Sequence, residues 1–185
     1  MVEKQQQIIG ITGYSAVGKS TLAQHLRREL GIGMFSLGNY QRAEFASHGK
    51  PEEYLIKLGV GATYYDKFPD YLAEIAKNMN KKGIVVESIY THAFLSLMRD
   101  TFKINKVHII EIWAPWKNRL ELYTLKTGIN GKDAKVNLNK LDKLKEDVGL
   151  KDVLSHVDVR VRNNCCLQKF LREGTEEARK LLQGK

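Results

Sequence analysis

Gly13-Tyr14-Ser15-Ala16-Val17-Gly18-Lys19-Ser20-Thr21 is the stretch on which the reading of this chain turns. It fits G-x-x-x-x-G-K-[ST], the pattern of a phosphate-cradling loop. The flanks carry as much weight as the letters. Before it runs Gln7-Ile8-Ile9-Gly10-Ile11-Thr12, apolar and β-branched, which predicts a buried strand. After it, Leu22, Leu26 and Leu30 recur every four residues, the apolar face of a helix. Gly13 and Gly18 permit backbone conformations that a side chain forbids. Successive N–H groups can then converge on one anion, helped by the positive end of the following helix.

Outward from this loop, apolar strands alternate with amphipathic helices, which predicts an α/β domain with a mostly parallel, five-stranded sheet between two helical layers. The expected strands after the first are Gly33 to Leu37, Ile84 to Glu87, Val107 to Ile112 and Val157 to Val161. Helices are expected over Tyr40 to Ser47, from Pro51, over Asp66 to Asn80, Thr91 to Arg99 and Pro115 to Lys126. A polar stretch from Asn130 to Asn139 then leads into a helix with Leu138, Leu141 and Leu144 on one side. A last helix is expected over Leu167 to Leu182, with Gly174-Thr175 as a candidate break. We read 1–185 as one domain, with 128–149 as a candidate lid and 39–80 as a candidate acceptor-binding region.

The bulk properties narrow the class. With 185 residues and 43% hydrophobic content, the chain can bury one real core. No apolar run approaches the ~18 residues of a membrane span. The polar start, Met1 to Gln7, lacks a signal-peptide pattern, so a cytoplasmic protein without a membrane partner is expected. Cys165 and Cys166 are adjacent, a spacing poor for a disulfide and too few for a metal site. The net charge of +9 admits RNA as a partner, but the charges are spread and no RNA-binding aromatic signature accompanies them. Cations around a polyanionic small molecule account for the same balance.

Residue chemistry then nominates a site. Lys19 reaches β- and γ-phosphates, and the Ser20 hydroxyl is a ligand for Mg²⁺. The loop from Gly13 through Tyr14, Ser15, Ala16, Val17, Gly18, Lys19 and Ser20 to Thr21 is expected to hold the phosphates of ATP. Glu87 ends a central strand, where ligands sit in open parallel sheets. It either holds Mg²⁺ or acts as base toward an acceptor hydroxyl; a helix cap or an ion-pair partner is the plain alternative. Arg42, with Asn39, is placed to grip an anionic acceptor. Arg119 precedes the candidate lid and can face the phosphates, and Lys132, Lys135, Lys140, Lys143 and Lys145 lie within the lid. Tyr14 is bulky for such a loop and either covers the nucleotide or shields the loop.

Together these segments resemble the nucleoside monophosphate kinase superfamily of P-loop kinases, nearest in feel to cytidylate kinases and dephospho-coenzyme A kinases. The resemblance runs through Ser36-Leu37-Gly38-Asn39-Tyr40-Gln41-Arg42, similar to the S-x-G-D-x-x-R acceptor segment. It continues through Gly83 to Glu87, then Ile110 to Pro115 with Arg119, and Val157 to Asn164. It implies the three-layer α/β/α P-loop fold with a small helical lid, ATP and Mg²⁺ as ligands, and a kinase that phosphorylates a nucleotide or nucleotide-like acceptor. Dephospho-coenzyme A is an alternative acceptor, and a P-loop ATPase acting with RNA or a protein is an alternative class. The chain departs from the family at Asn39, which replaces an aspartate, and at Ser88-Ile89, where glycine and arginine often follow the glutamate. No arginine occurs from Leu120 to Leu150, where lid arginines are expected. A monomer or small homo-oligomer is expected.

Overall fold

Ile8, Ile9 and Ile11 are fully buried, so the strand they form must be covered on both faces. In the computed structural model, which describes residues 6–47, 66–102, 107–164 and 166–183, this strand is the middle of the sheet. The five strands are β1 (Ile8–Thr12), β2 (Gly33–Ser36), β3 (Ile84–Glu87), β4 (Val107–Trp113) and β5 (Val159–Arg162). Their order is β2-β3-β1-β4-β5 and every pairing is parallel. The edge strand β5 alternates Val159, Arg160, Val161, Arg162, with both arginines exposed. Only one of its faces reaches the core.

Eight helices complete the described residues: α1 (Lys19–Leu30), α2 (Leu37–Ser47), α3 (Phe68–Asn78), α4 (His92–Phe102), α5 (Trp116–Thr127), α6 (Gly131–Asp147), α7 (Leu150–Leu154) and α8 (Leu167–Gln183). On one side of the sheet, Tyr71 and Ile75 of α3 pack with Phe94 and Met98 of α4 and with Val153 of α7. On the other, Leu22 and Leu26 of α1 pack with Phe170 and Ala178 of α8. Burying each such leucine contributes about 2 kcal/mol. The parallel pairing sets the carboxyl ends of β1 and β3 side by side, with Ile11 level with Glu87.

Four local outcomes differ from the sequence reading. Residue Leu37 begins α2 rather than ending β2, because the Ser36 hydroxyl accepts the Asn39 N–H at 3.3 Å and caps the helix. Asn39 therefore lies in the first turn of the helix. The polar stretch 131–139 is already helical, part of one continuous α6. Its lysines favour helix as well as solvent, and Ala134 and Leu138 give it a buried stripe. Residues 150–154 form an unanticipated short helix. Helix α8 is unbroken at Gly174: a Cβ there would stand 2.5 Å from Leu22 Cδ1, so this glycine marks the close approach of α8 to α1. The helix expected from Pro51 lies outside the described residues, as does Cys165, whereas Cys166 is an exposed helix-start residue.

Candidate phosphate-binding site

The loop between β1 and α1 is shaped by its backbone. Gly13 has φ 129° and Gly18 has φ 100°, both in the region that favours glycine, and Ala16 joins them at φ 57°. A Cβ on Gly13 would lie 2.4 Å from the Ile112 carbonyl oxygen. Helix α1 starts at Lys19 without a side-chain cap and without an acidic residue in its first turn. Its first N–H groups and its dipole thus face the loop. Asn163, after β5, donates from Nδ2 to the Val17 carbonyl at 3.0 Å and ties the loop to the far end of the sheet.

Lys19 is buried at the centre. Its ammonium donates to the carbonyls of Gly13 (3.0 Å) and Tyr14 (2.6 Å) and lies 5.6 Å from the Tyr90 ring centroid. Burial pulls its pKa down from 10.5 to about 8, against the raising influence of Glu87. Glu87, 4% exposed, is ringed by hydroxyls. It accepts from Ser20 at 3.3 Å, from Ser88 at 2.8 Å, and from Ser36. Ser20 and Glu87, both nominated for Mg²⁺, thus lie together in the structure. The remaining loop member, Thr21, is exposed on α1.

The set fits Mg²⁺ of the kind held chiefly by a nucleotide. One hydroxyl and one carboxylate converge, and no cluster of three or more His, Cys, Asp or Glu that could hold a metal occurs among the described residues. Mg²⁺ commonly takes one or two protein oxygens and completes its shell with phosphate and water.

Arg119, in the first turn of α5, is 8% exposed. Its Nε donates to the Ser15 carbonyl at 2.9 Å, and its guanidinium lies over the rings of Tyr14 (5.2 Å) and Trp116 (5.3 Å). Tyr14 donates its hydroxyl to Glu146 Oε1 at 2.7 Å. Burial and that carboxylate raise the Tyr14 pKa to about 12. Arg42 and Asn39 stand apart from this cluster. Arg42 is exposed, bonds the Asn39 side-chain oxygen and folds back beside Gly38, where Ser88 also reaches. Both residues lie beyond the carboxyl end of β2, with the Ser36 hydroxyl between Asn39 and Glu87.

Sequence reasoning missed Asp142 and underused Lys145. Asp142 accepts the Ser15 backbone N–H at 3.2 Å and is ion-paired with Arg119. The Lys145 ammonium lies 4.7 Å from the Tyr90 ring centroid, the ring that Lys19 also approaches. A signal was available: Ala134, Leu138 and Asp142 recur at four-residue spacing, so a carboxylate continues the buried stripe of α6.

The chain is 30% identical over 188 residues to UPF0200 protein PH1008 of Pyrococcus horikoshii, covering 95% of this chain and 97% of that one. The chain belongs to the UPF0200 family. No family model matches it. Among solved structures it is similar to a gluconokinase from Sinorhizobium meliloti 1021 (TM-score 0.64, 17% identity, 98% of this chain and 96% of that one). It is similar also to the shikimate kinase of Aquifex aeolicus vf5 (TM-score 0.60, 16% identity, 96% and 99% covered). The UPF0200 chain therefore has the three-layer α/β/α fold of these P-loop kinases, with an all-parallel sheet. At these identities the likeness concerns the fold alone. No helix among the described residues is long and apolar enough to cross a membrane.

Proposed function

We propose that this protein is an ATP-dependent kinase of a small nucleotide or nucleotide-like acceptor. The observation that carries the reading is the convergence of an uncapped helix start, buried Lys19, and the Ser20–Glu87 pair at the carboxyl ends of β1 and β3. The loop from Gly13 to Thr21 binds the ATP phosphates through backbone N–H groups. Lys19 follows the negative charge of the transferring group, and Arg119 neutralises charge beside it. Ser20 and Glu87 hold Mg²⁺, which when bound neutralises charge on the phosphate oxygens. Residues 128–149 act as the lid, and 39–80 contribute to acceptor binding through Asn39 and Arg42; 48–65 of that region lie outside the described residues.

In the transfer, an acceptor oxygen bonds the γ-phosphorus while the bond from that phosphorus to the departing ADP oxygen breaks, and the electron pair leaves with ADP. A hydroxyl acceptor gives its proton to Glu87 or to water; an ionised phosphate acceptor has none to give. Dephospho-coenzyme A is a hydroxyl acceptor of this kind.

The test is ADP release from Mg-ATP against nucleoside monophosphates, deoxynucleotides and dephospho-coenzyme A, with RNA as a separate arm. Release that depends on one acceptor, with phosphorylated product by mass spectrometry, supports the kinase. Hydrolysis indifferent to every acceptor but raised by RNA overturns it in favour of a partner-stimulated ATPase. Glu87→Gln is expected to lower kcat by about 100-fold and raise the Mg²⁺ requirement. An unchanged Mg²⁺ titration would remove Glu87 from the metal.

A further inference from the structure

The inner face of α6 carries Asp142, Lys145 and Glu146, three ionisable residues within two turns, all turned toward the phosphate loop. Asp142 bonds Ser15 and Arg119, Glu146 bonds Tyr14, and Lys145 shares the Tyr90 ring with Lys19. We propose that α6 supplies the second half of the phosphate site: Asp142 is an internal substitute for a phosphate oxygen, and the nucleotide phosphate that displaces it is gripped by Arg119 and Lys145. This inference rests on the reading of the loop as an ATP site.

Carboxylate and phosphate compete for the same donors. The backbone N–H of Ser15 and the guanidinium of Arg119 are anion donors, and in this structure the anion they hold is a carboxylate from the same chain. A phosphate oxygen needs the same donors, which are directional and finite in number. Asp142 beside a triphosphate also sets like charges together in a site shielded from water, where repulsion is strong. Nucleotide binding therefore exchanges one anion for another. The exchange leaves Arg119 paired throughout, so this buried cation need not face an unpaired state.

Lys145 is the complementary half. It stands three residues beyond Asp142, on the same helical face. Its stem is partly exposed, while its ammonium is withdrawn toward Lys19. Burial, and then the Lys19 charge, push its pKa well below the ordinary lysine value, with Asp142 acting the other way. Two lysine side chains meet at one ring, with Glu87 acting on Lys19 and Asp142 on both, and a polyphosphate that displaces Asp142 can serve both amines. The cation also answers the absence of arginine from Leu120 to Leu150: the lid presents a point charge in place of a fork.

The experiment is a calorimetric titration of Mg-ATP, and separately of inorganic tripolyphosphate, into the wild type, Asp142→Asn, Asp142→Ala, Lys145→Met and Lys19→Met. Each variant is first checked for its melting transition. Loss of the competing charge is expected to tighten both ligands about tenfold in the two Asp142 variants, the size of one charge-assisted hydrogen bond. Lys145→Met is expected to weaken both about tenfold. If both Asp142 variants bind both ligands within twofold of wild type, or more weakly, the substitution of carboxylate for phosphate is overturned. If ATP responds and tripolyphosphate does not, Asp142 opposes the nucleoside rather than the phosphate, and the proposal fails. Lys19→Met separates the two readings. If ATP binding ignores Lys19, the ATP-site assignment itself has failed. If it collapses with Lys19 while Asp142 variants stay unchanged, only the lid inference has failed.

Discussion

The glycine loop and helix α6 face each other across the candidate site, and they are built by opposite means. The loop acts through its main chain: positive φ at Gly13, Ala16 and Gly18, a helix start without a side-chain cap, and a lysine folded onto its carbonyls. Helix α6 has an ordinary backbone and acts through side chains, with Asp142, Lys145 and Glu146 on one face. The lesson concerns tolerance. A site made of backbone fails when any atom is added, whereas a site made of side chains can be retuned one charge at a time.

The hardest blow to that contrast is one methyl group. Gly13→Ala places a Cβ 2.4 Å from the Ile112 carbonyl at a φ of 129°. The expected result is loss of measurable ATP binding, with a destabilisation of roughly 3 kcal/mol by denaturant titration. Near-normal binding in Gly13→Ala would show that the loop does not depend on its backbone path.

Lys19→Met should separate stability from chemistry. ATP-dependent turnover is expected to fall by at least about 1000-fold. Meanwhile the ligand-free protein should melt at a higher temperature. The Lys19 pKa lies at about 8 in the folded chain, below its ordinary 10.5. The folded state thus binds fewer protons than the unfolded between these values, and wild-type stability rises with pH across that window. The burial penalty is fully present below pH 8, where it amounts to up to about 3 kcal/mol. The gain in Lys19→Met should therefore be largest near pH 7 and fade toward pH 10.5. Wild-type ATP affinity should fall between pH 8 and 9.5, because the phosphates require the protonated amine. A pH-independent melting difference would contradict the burial of Lys19.

The mildest change sharpens the comparison from the lid side. Tyr14→Phe deletes the hydroxyl that donates to Glu146 at 2.7 Å. It should cost about 1 kcal/mol or less, with amide exchange across 131–147 quickened a few-fold and ATP affinity nearly unchanged. A large loss of affinity would make the hydroxyl a nucleotide contact.

The same contrast explains what could be read from residues alone. The loop and the central strand were legible because glycine spacing and continuous β-branched runs have few other uses. Glu87 could be placed because its position at a strand end fixes where it points. Helix α6 was half legible. Its polar inner face faces charge rather than water, and a lysine-rich helix looks the same in both settings. Asn39 lies inside α2 although the helix was expected only from Tyr40, because the Ser36 hydroxyl, which also serves Glu87, caps the helix earlier. Gly174 resembled a break because the need for α8 to touch Leu22 is a tertiary fact.

That last contact has a consequence for synthesis. The loop emerges early from the ribosome, yet its fastening comes late: Asn163 bonds Val17 across 146 residues, and Phe170 and Gly174 then close over Gly18 and Leu22. A nascent chain halted before Asn163 carries the complete glycine motif without its clasp. Full fastening of the loop therefore awaits α8, so anion binding there would report on a chain grown past Gly174 rather than on the glycine motif by itself.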